Sequence, residues 1–100
     1  MKVEFNKVNE ETIVVIEGRL DTVTAPELDK EIRPLYAESG IKVVFDCNAL
    51  EYVSSSGLRV ILTAHKMLTA KGSKFVLRGL STEVRSVFDL TGFSRILTIE

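Results

Sequence analysis

Residues 43–77, VVFDCNALEYVSSSGLRVILTAHKMLTAKGSKFVL, decide the fold because they describe a strand, a helix and a second strand. The apolar runs Val43–Phe45 and Phe75–Leu77 are typical of buried strands. Between them, apolar residues recur at helical spacing from about Gly57 to Ala70, and Gly72 ends the helix. The members of this stripe are Leu58, Ile61, Leu62, His65 and Leu68. A strand–helix–strand unit predicts parallel strands joined by a right-handed crossover.

The amino-terminal segment predicts an antiparallel hairpin. Val3 and Phe5 alternate with polar residues, as in a half-buried strand, and Asn9–Glu11 is a polar turn. The β-branched run Ile13–Ile16 predicts a strand that is buried on both faces and ends near Gly18. We therefore expect the second strand of the hairpin to lie nearer the centre of the sheet.

A first helix is expected after this hairpin. Thr24 and Glu27 have the spacing of a capping box, and Pro26 lies in the first turn, where its missing N–H matters least. Pro34 should kink or end the helix, and Gly40 is the expected stop.

The carboxyl-terminal segment completes the pattern. Ser81 can cap another helix that closes near Gly92, and Ile96–Ile99 is a terminal strand or an extended tail. The order ββαβαβα, then β, predicts one α/β domain over residues 1–100. Its sheet should be mixed and mostly parallel, with an amino-terminal antiparallel hairpin and about three to four helices.

The composition excludes several classes of function. The 100 residues are 45% hydrophobic and 27% charged, with a net charge of −1. A nucleic-acid module usually has a basic excess, so we expect no direct nucleic-acid partner. Apolar runs are far shorter than the roughly 20 residues of a membrane span, so no membrane partner is expected either. The lone cysteine, Cys47, suits a reducing cytoplasm, where we expect the chain to act.

Three loops should meet at the carboxyl edge of the sheet, where parallel sheets present their chemistry: Leu20–Thr24, Asn48–Ser56 and Gly79–Ser81. The middle loop is the most unusual, because three consecutive serines precede the long helix. In one interpretation, one serine caps the helix and two are merely solvated. In another, a serine is phosphorylated, since a helix amino terminus tolerates phosphate while a partner docked over the loop would not.

A small hydrolase is a third interpretation of the serine loop. Ser55 lies in a strand–turn–helix context, but the nucleophile elbow requires glycine where this chain has Val53. The only histidine, His65, follows ten residues later on the same helix, at roughly 15 Å. The sequence therefore disfavours a hydrolase, and we expect His65 to place one ring face on the core with a satisfied nitrogen.

Loop carboxylates raise the question of a metal site. Asp21, Asp46 and Glu51 could cluster near the serines, although solvated loop carboxylates are the simpler interpretation. One histidine and one cysteine leave no His/Cys cluster. We therefore expect no metal and no cofactor.

Several segments, in order along nearly the whole chain, carry a resemblance to a known family. They are Gly18–Asp21 with Thr24, Val43–Asp46, Tyr52–Leu58, Gly72, Phe75–Leu77 with Gly79, and Leu90–Phe93. Together they resemble the STAS domain, and most closely the bacterial anti-sigma factor antagonists. No single motif decides the match, but the combination around Ser55 is rather specific.

The resemblance implies a protein without enzymatic activity that binds an anti-sigma factor and thereby frees a sigma factor. That anti-sigma factor is also a serine kinase; it phosphorylates a loop serine and ends the complex, and a metal-dependent serine phosphatase removes the phosphate. By position the acceptor is Ser55, with Ser56 and then Ser54 as the runners-up. Position 54 is aspartate in sporulation-type members and serine in many others, so the kinase stays unidentified.

The resemblance also implies a partner-binding surface. Its expected residues are Asp21, Thr24, Ser54, Ser56, Gly57 and Arg59. Arg59 falls on the polar stripe of the long helix and would project toward the partner, a solvated surface charge being the alternative. The chain would be a monomer or a weak dimer. A STAS module of a stressosome-like scaffold or an accessory subunit of a transporter is the alternative function.

Overall fold

The computed structural model describes residues 1–100, and six strands and three α-helices follow one another along the chain. Their bounds are β1 Lys2–Val8, β2 Glu11–Leu20, α1 Ala25–Ile32, β3 Lys42–Asp46, β4 Leu50–Val53, α2 Ser55–Ala70, β5 Lys74–Arg78, α3 Thr82–Thr91 and β6 Thr98–Ile99. Short 3₁₀ helices cover Arg33–Ala37 and Phe93–Arg95. No helix has both the length and the apolar character that crossing a membrane requires.

The strands form one mixed sheet in the order β1-β2-β3-β5-β6. β1 is antiparallel to β2, and every other pair is parallel. β2 is long enough to pair twice on one side, first with β3 up to Val15 and then with β4 from Gly18, with a register shift between Gly18 and Arg19. The α/β class, the mostly parallel sheet and the amino-terminal hairpin are thereby confirmed.

The hairpin differs in detail from its prediction. Its turn is only Asn9 and Glu10, both with positive φ, a turn geometry that matches the twist of the flanking strands. β2 runs two residues past the expected end near Gly18, to Leu20; Gly18 has a φ of +99° and precedes a register shift in the pairing with β4. Phe5 is 43% exposed, so the edge strand is less buried than its alternation predicts.

The core lies between one face of the sheet and the three helices. Side chains of β2, β3 and β5 on this face join the buried stripes of α1, α2 and α3 in a single cluster. Within it, Phe45 and Phe75 pack edge to face with ring centroids 4.7 Å apart. The helix stripe is confirmed at Leu58, Ile61 and Leu68, whereas Leu62 and His65 are only half-buried.

The opposite face of the sheet carries no helix from this cluster. Val44 and Val76 lie there by register and are nevertheless buried. Across the same face, Arg78 forms ion pairs with Glu11 at 3.7 Å and with Glu100 at 3.2 Å. Long charged side chains shield apolar surface with their stems, which accounts for a narrow apolar strip on an otherwise solvated face. The run in β2 is accordingly half-buried on this side, not fully buried on both.

A fourth strand was not expected. The sequence predicts a continuous loop from Asn48 to Ser56, but Leu50–Val53 pairs in parallel with the end of β2. Only Leu50 and Val53 are buried, while Glu51 and Tyr52 are exposed, so this strand lacks the alternation by which strands are recognised. The strand matters for function because it fixes the direction from which the chain enters α2.

Helix boundaries follow the predicted breakers closely. α1 ends at Ile32, before Pro34, and the 3₁₀ helix that follows ends three residues before the expected stop at Gly40. In α3, the Ser81 hydroxyl accepts a hydrogen bond from the Val84 N–H at 3.2 Å, which confirms this cap. α3 closes at Gly92, which has a φ of +81°.

Candidate functional site

The serine loop and the loop after β2 lie side by side. The Ser54 N–H donates to the Leu20 carbonyl at 2.9 Å, and β4 delivers the serines directly into α2. At Gly57, an added Cβ would lie 2.7 Å from Leu20 Cγ and 3.0 Å from its carbonyl oxygen. Only glycine at position 57 allows α2 to lie this close to Leu20 of the same chain.

The three serines have different environments. Ser54 is the N-cap of α2, since its hydroxyl accepts a hydrogen bond from the Gly57 N–H at 3.2 Å. Ser55 is the first residue of the helix; its side chain is exposed and makes no hydrogen bond. Ser56 is half-buried. The helix therefore begins two residues before the expected Gly57, and the hydroxyl of Ser55 is left free by the fold.

Asp21 and Thr24 hold the adjoining loop in one shape. The Thr24 hydroxyl donates to the Arg19 carbonyl and accepts from the Asp21 N–H, both at 2.8 Å. The Asp21 carboxylate accepts from the N–H groups of Val23 and Thr24. The predicted capping box at Thr24 is wrong, because Thr24 makes no side-chain cap and Asp21 engages the loop N–H groups.

Electrostatics of this loop follow from those hydrogen bonds. The N–H of Thr24 is the main reason that the pKa of Asp21 lies below its ordinary value, because it stabilises the ionised carboxylate. Arg19 approaches Asp21 at 4.0 Å and places its guanidinium 4.2 Å from the centre of the Tyr52 ring. This stacking ties the end of β2 to β4, and nothing in the spacing of the two residues predicts it.

A shallow groove begins at the free serine. Ser55, Leu58, Arg59 and Leu62 of α2 line one side, while Thr91 and Phe93, at and after the end of α3, line the other. Large apolar side chains are exposed in segments that adjoin these residues in the chain or in the fold, among them Val23 in the loop after β2, at 76%, and Leu90, immediately before Thr91, at 88%. A partner that covers such side chains together with the groove would bury apolar area, as the core of a protein–protein interface does.

The remaining candidates do not join this site. Gly79 packs on Asn48, so the third loop meets the beginning of the middle loop and not its serines. No group of three or more His, Cys, Asp or Glu side chains is arranged to hold a metal ion, so the considered carboxylate cluster does not form. The Asp46 carboxylate instead accepts hydrogen bonds from Asn48.

Two further side chains, His65 and Cys47, place a polar atom in the interior. The Nδ1 atom of His65 is buried without a hydrogen-bond partner, so the expected satisfied nitrogen is wrong at this atom. Burial raises the pKa of the Cys47 thiol to about 12, with a smaller contribution from Asp46. The thiol therefore stays protonated and has the character of a core residue.

Comparison with known proteins identifies the family. The family description STAS domain matches residues 2–100. The chain belongs to the STAS domain family. An anti-sigma-B factor antagonist of Bacillus subtilis (strain 168) is 35% identical over 94 residues, which span 93% of this chain and 85% of that protein. The sequence-level resemblance is thereby confirmed.

Solved structures share the fold. An anti-sigma factor antagonist from Mycobacterium paratuberculosis matches with a TM-score of 0.89 at 24% identity, covering 98% of this chain and 83% of that one. The Bacillus cell fate determinant SpoIIAA in its phosphorylated form matches with a TM-score of 0.75 at 19% identity, covering 99% and 91%. The STAS chain thus has the architecture of proteins that carry these names.

Proposed function

We propose that this STAS chain is an anti-sigma factor antagonist: it binds an anti-sigma factor with serine kinase activity, releases a sigma factor, and is switched off by phosphorylation of Ser55. Membership of the family and the name of the Bacillus subtilis relative support the regulatory role. The observation that carries the choice of residue is the free, exposed hydroxyl of Ser55 at the start of α2.

The neighbouring serines are poorer acceptors. The Ser54 hydroxyl already caps α2, so its modification would disturb the helix start. Ser56 is half-buried, which limits the approach of a kinase. Ser55 alone combines exposure with a hydroxyl that the fold does not use.

The position of Ser55 explains how one phosphate would end a complex without unfolding the chain. A phosphate adds about −1.5 to −2 charges, and the positive end of the α2 dipole favours it. No acidic residue lies in the first turn of α2 to repel it. A partner seated on Val23, Leu90 and the groove would have to desolvate the phosphate, which is strongly unfavourable in an apolar contact. Binding therefore weakens while the fold persists.

The remaining residues of the proposed surface surround Ser55. Asp21 and Thr24 shape the loop that presents Val23, Ser54 and Ser56 flank the acceptor, and Gly57 draws the loop against α2. Arg59 projects from the groove wall beside them.

The proposal includes several further elements. A serine phosphatase restores the binding-competent form, and the chain, one domain over residues 1–100, needs no cofactor and catalyses no reaction. It acts as a monomer or weak dimer in the cytoplasm, which the unpaired Cys47 suits, and contacts neither nucleic acid nor membrane.

Capture from native lysate tests this function, with the wild type, Ser55→Ala and Ser55→Asp as baits. Ser39→Asp is the matched control, because it adds the same charge at an exposed residue just before β3, at the opposite end of the sheet. We expect the wild type, Ser55→Ala and Ser39→Asp to retain a protein with ATP-dependent serine kinase activity, and Ser55→Asp to lose it. With ATP, that kinase should modify the wild type and not Ser55→Ala. Retention of one scaffold or membrane subunit by all four baits would refute the proposal and support the alternative STAS assembly.

A further inference from the structure

Arg59 has no anionic partner in this structure. The chain has six arginines, and four of them form ion pairs with carboxylates; these are Arg19, Arg33, Arg78 and Arg85. Arg59 and Arg95 form none, and both are exposed. An arginine on a helix that carries no acid in its first turn is therefore available to an anion supplied from elsewhere.

Ser55 and Arg59 are neighbours on the surface of α2. They are four residues apart, and both line the groove that begins at the serine. Residues at this spacing lie on the same helix face with Cβ atoms about 6 Å apart. Side chains of a helix tilt toward its amino terminus, so Arg59 extends over the turn that holds Ser55. The order of anion first and cation four residues later is the favourable one.

We propose that Arg59 is the clamp for a phosphate on Ser55, holding it in a charge-assisted pair across the head of the groove. This inference rests on the proposed phosphorylation of Ser55. The guanidinium presents two parallel N–H groups to the phosphate oxygens, which an ammonium group does not. Phosphorylation then changes the surface in two ways, because the phosphate adds charge and the recruited Arg59 side chain lies over the groove.

The other serines of the loop are less suited to this clamp. Four residues after Ser54 and Ser56 stand Leu58 and Val60, which offer no charge. Arg59 also follows Ser56 at the shorter spacing of three, but Ser56 is half-buried. The clamp therefore favours Ser55 as the residue whose phosphorylated form is held in one geometry.

A phosphorus NMR titration of the chain with phosphoserine installed at position 55 by chemical synthesis tests the clamp. We expect Arg59→Gln to raise the second pKa of the phosphate by about 0.5 pH unit, the shift that an exposed ion pair produces. Arg59→Lys should give a smaller rise, because it keeps the charge but loses the fork. Arg95→Gln, which removes the other unpaired arginine, should leave the titration unchanged. Added salt should shrink the difference between the wild type and Arg59→Gln.

Two outcomes would overturn the clamp: identical titrations of the wild type and Arg59→Gln, or a shift produced by Arg95→Gln instead. Because the phosphate is installed chemically, the measurement needs neither a kinase nor a partner. Absence of phosphate on Ser55 in cells would therefore refute the proposed function without altering the titration. Identical titrations would remove the clamp and leave the proposed switch standing.

Discussion

Replacing Gly57 by alanine measures how tightly the loop after β2 packs on α2. The new methyl would meet Leu20 Cγ at 2.7 Å, closer than real Cβ contacts come, and the Leu20 carbonyl oxygen at 3.0 Å, which is also tight. Overpacking of this kind costs about 1–3 kcal/mol, whereas alanine in place of glycine within a helix gains at most about 1 kcal/mol. The middle of the overpacking range exceeds the largest gain, so we expect a net loss of about 1 kcal/mol.

Urea unfolding of the variant is the assay, with thermal unfolding as a second measure. A domain of this size loses roughly 4–8 °C in Tm for each kcal/mol. Leu20→Ala removes the side-chain part of the clash, so Gly57→Ala should cost less in that background, with a coupling energy of about 1 kcal/mol. A neutral or stabilising Gly57→Ala, or an equal cost in both backgrounds, would refute the close packing that positions the serine loop.

Three other predictions concern the serines and the buried titratable groups. Ser54→Ala should lose about 1 kcal/mol of stability in urea unfolding because it removes the α2 cap, whereas Ser55→Ala should change the stability by less than about 0.5 kcal/mol. The reverse ranking would show that Ser55, and not Ser54, caps the helix. Cys47 should resist thiol reagents at pH 8 in the folded chain and react quickly once urea unfolds it, and rapid reaction of the folded chain would contradict its burial. Burial raises the pKa of both Cys47 and Tyr36 to about 12, so both groups keep their protons in the fold and release them more readily on unfolding. These groups should therefore leave the free energy of unfolding unchanged below about pH 9 and lower it as the pH rises toward 12. Tyr36→Phe should make the decrease less steep at the upper end of this range. An unchanged slope in the variant would show that the Tyr36 phenol does not cause the decrease.

The spacing of apolar residues and the positions of proline and glycine predict most of the architecture. Apolar spacing reflects burial against the core, and proline and glycine act on the backbone locally. The apolar runs of β3 and β5 and the stripe of α2 face the same core, and Pro34 and Gly92 end helices for local reasons. The extra strand Leu50–Val53 could not be predicted, since it pairs with the end of β2, which lies about thirty residues earlier in the chain, and the pairing includes a register shift after Gly18.

The candidate site divides in the same way. Three serines at a helix start indicate a cap and a free hydroxyl, but the sequence does not say which serine has which role. The pairing of Ser54 with Leu20 decides this, because it sets where the chain enters the helix. The spacing of the residues predicts that Thr24 caps α1, but in the folded loop the Asp21 carboxylate accepts a hydrogen bond from the N–H of Val23 and the Thr24 hydroxyl donates to the Arg19 carbonyl.

The most direct measurement of the central claim is the affinity of the kinase recovered by lysate capture for two forms of the chain, one unmodified and one carrying phosphoserine at position 55. The account predicts that the phosphate raises the dissociation constant by about 100-fold or more. This corresponds to a cost of roughly 3 kcal/mol for desolvating the added charge at the contact. Circular dichroism of the two forms should coincide, since the helix amino terminus tolerates the phosphate. Dissociation constants that agree within about threefold would contradict the claim that Ser55 is the switch.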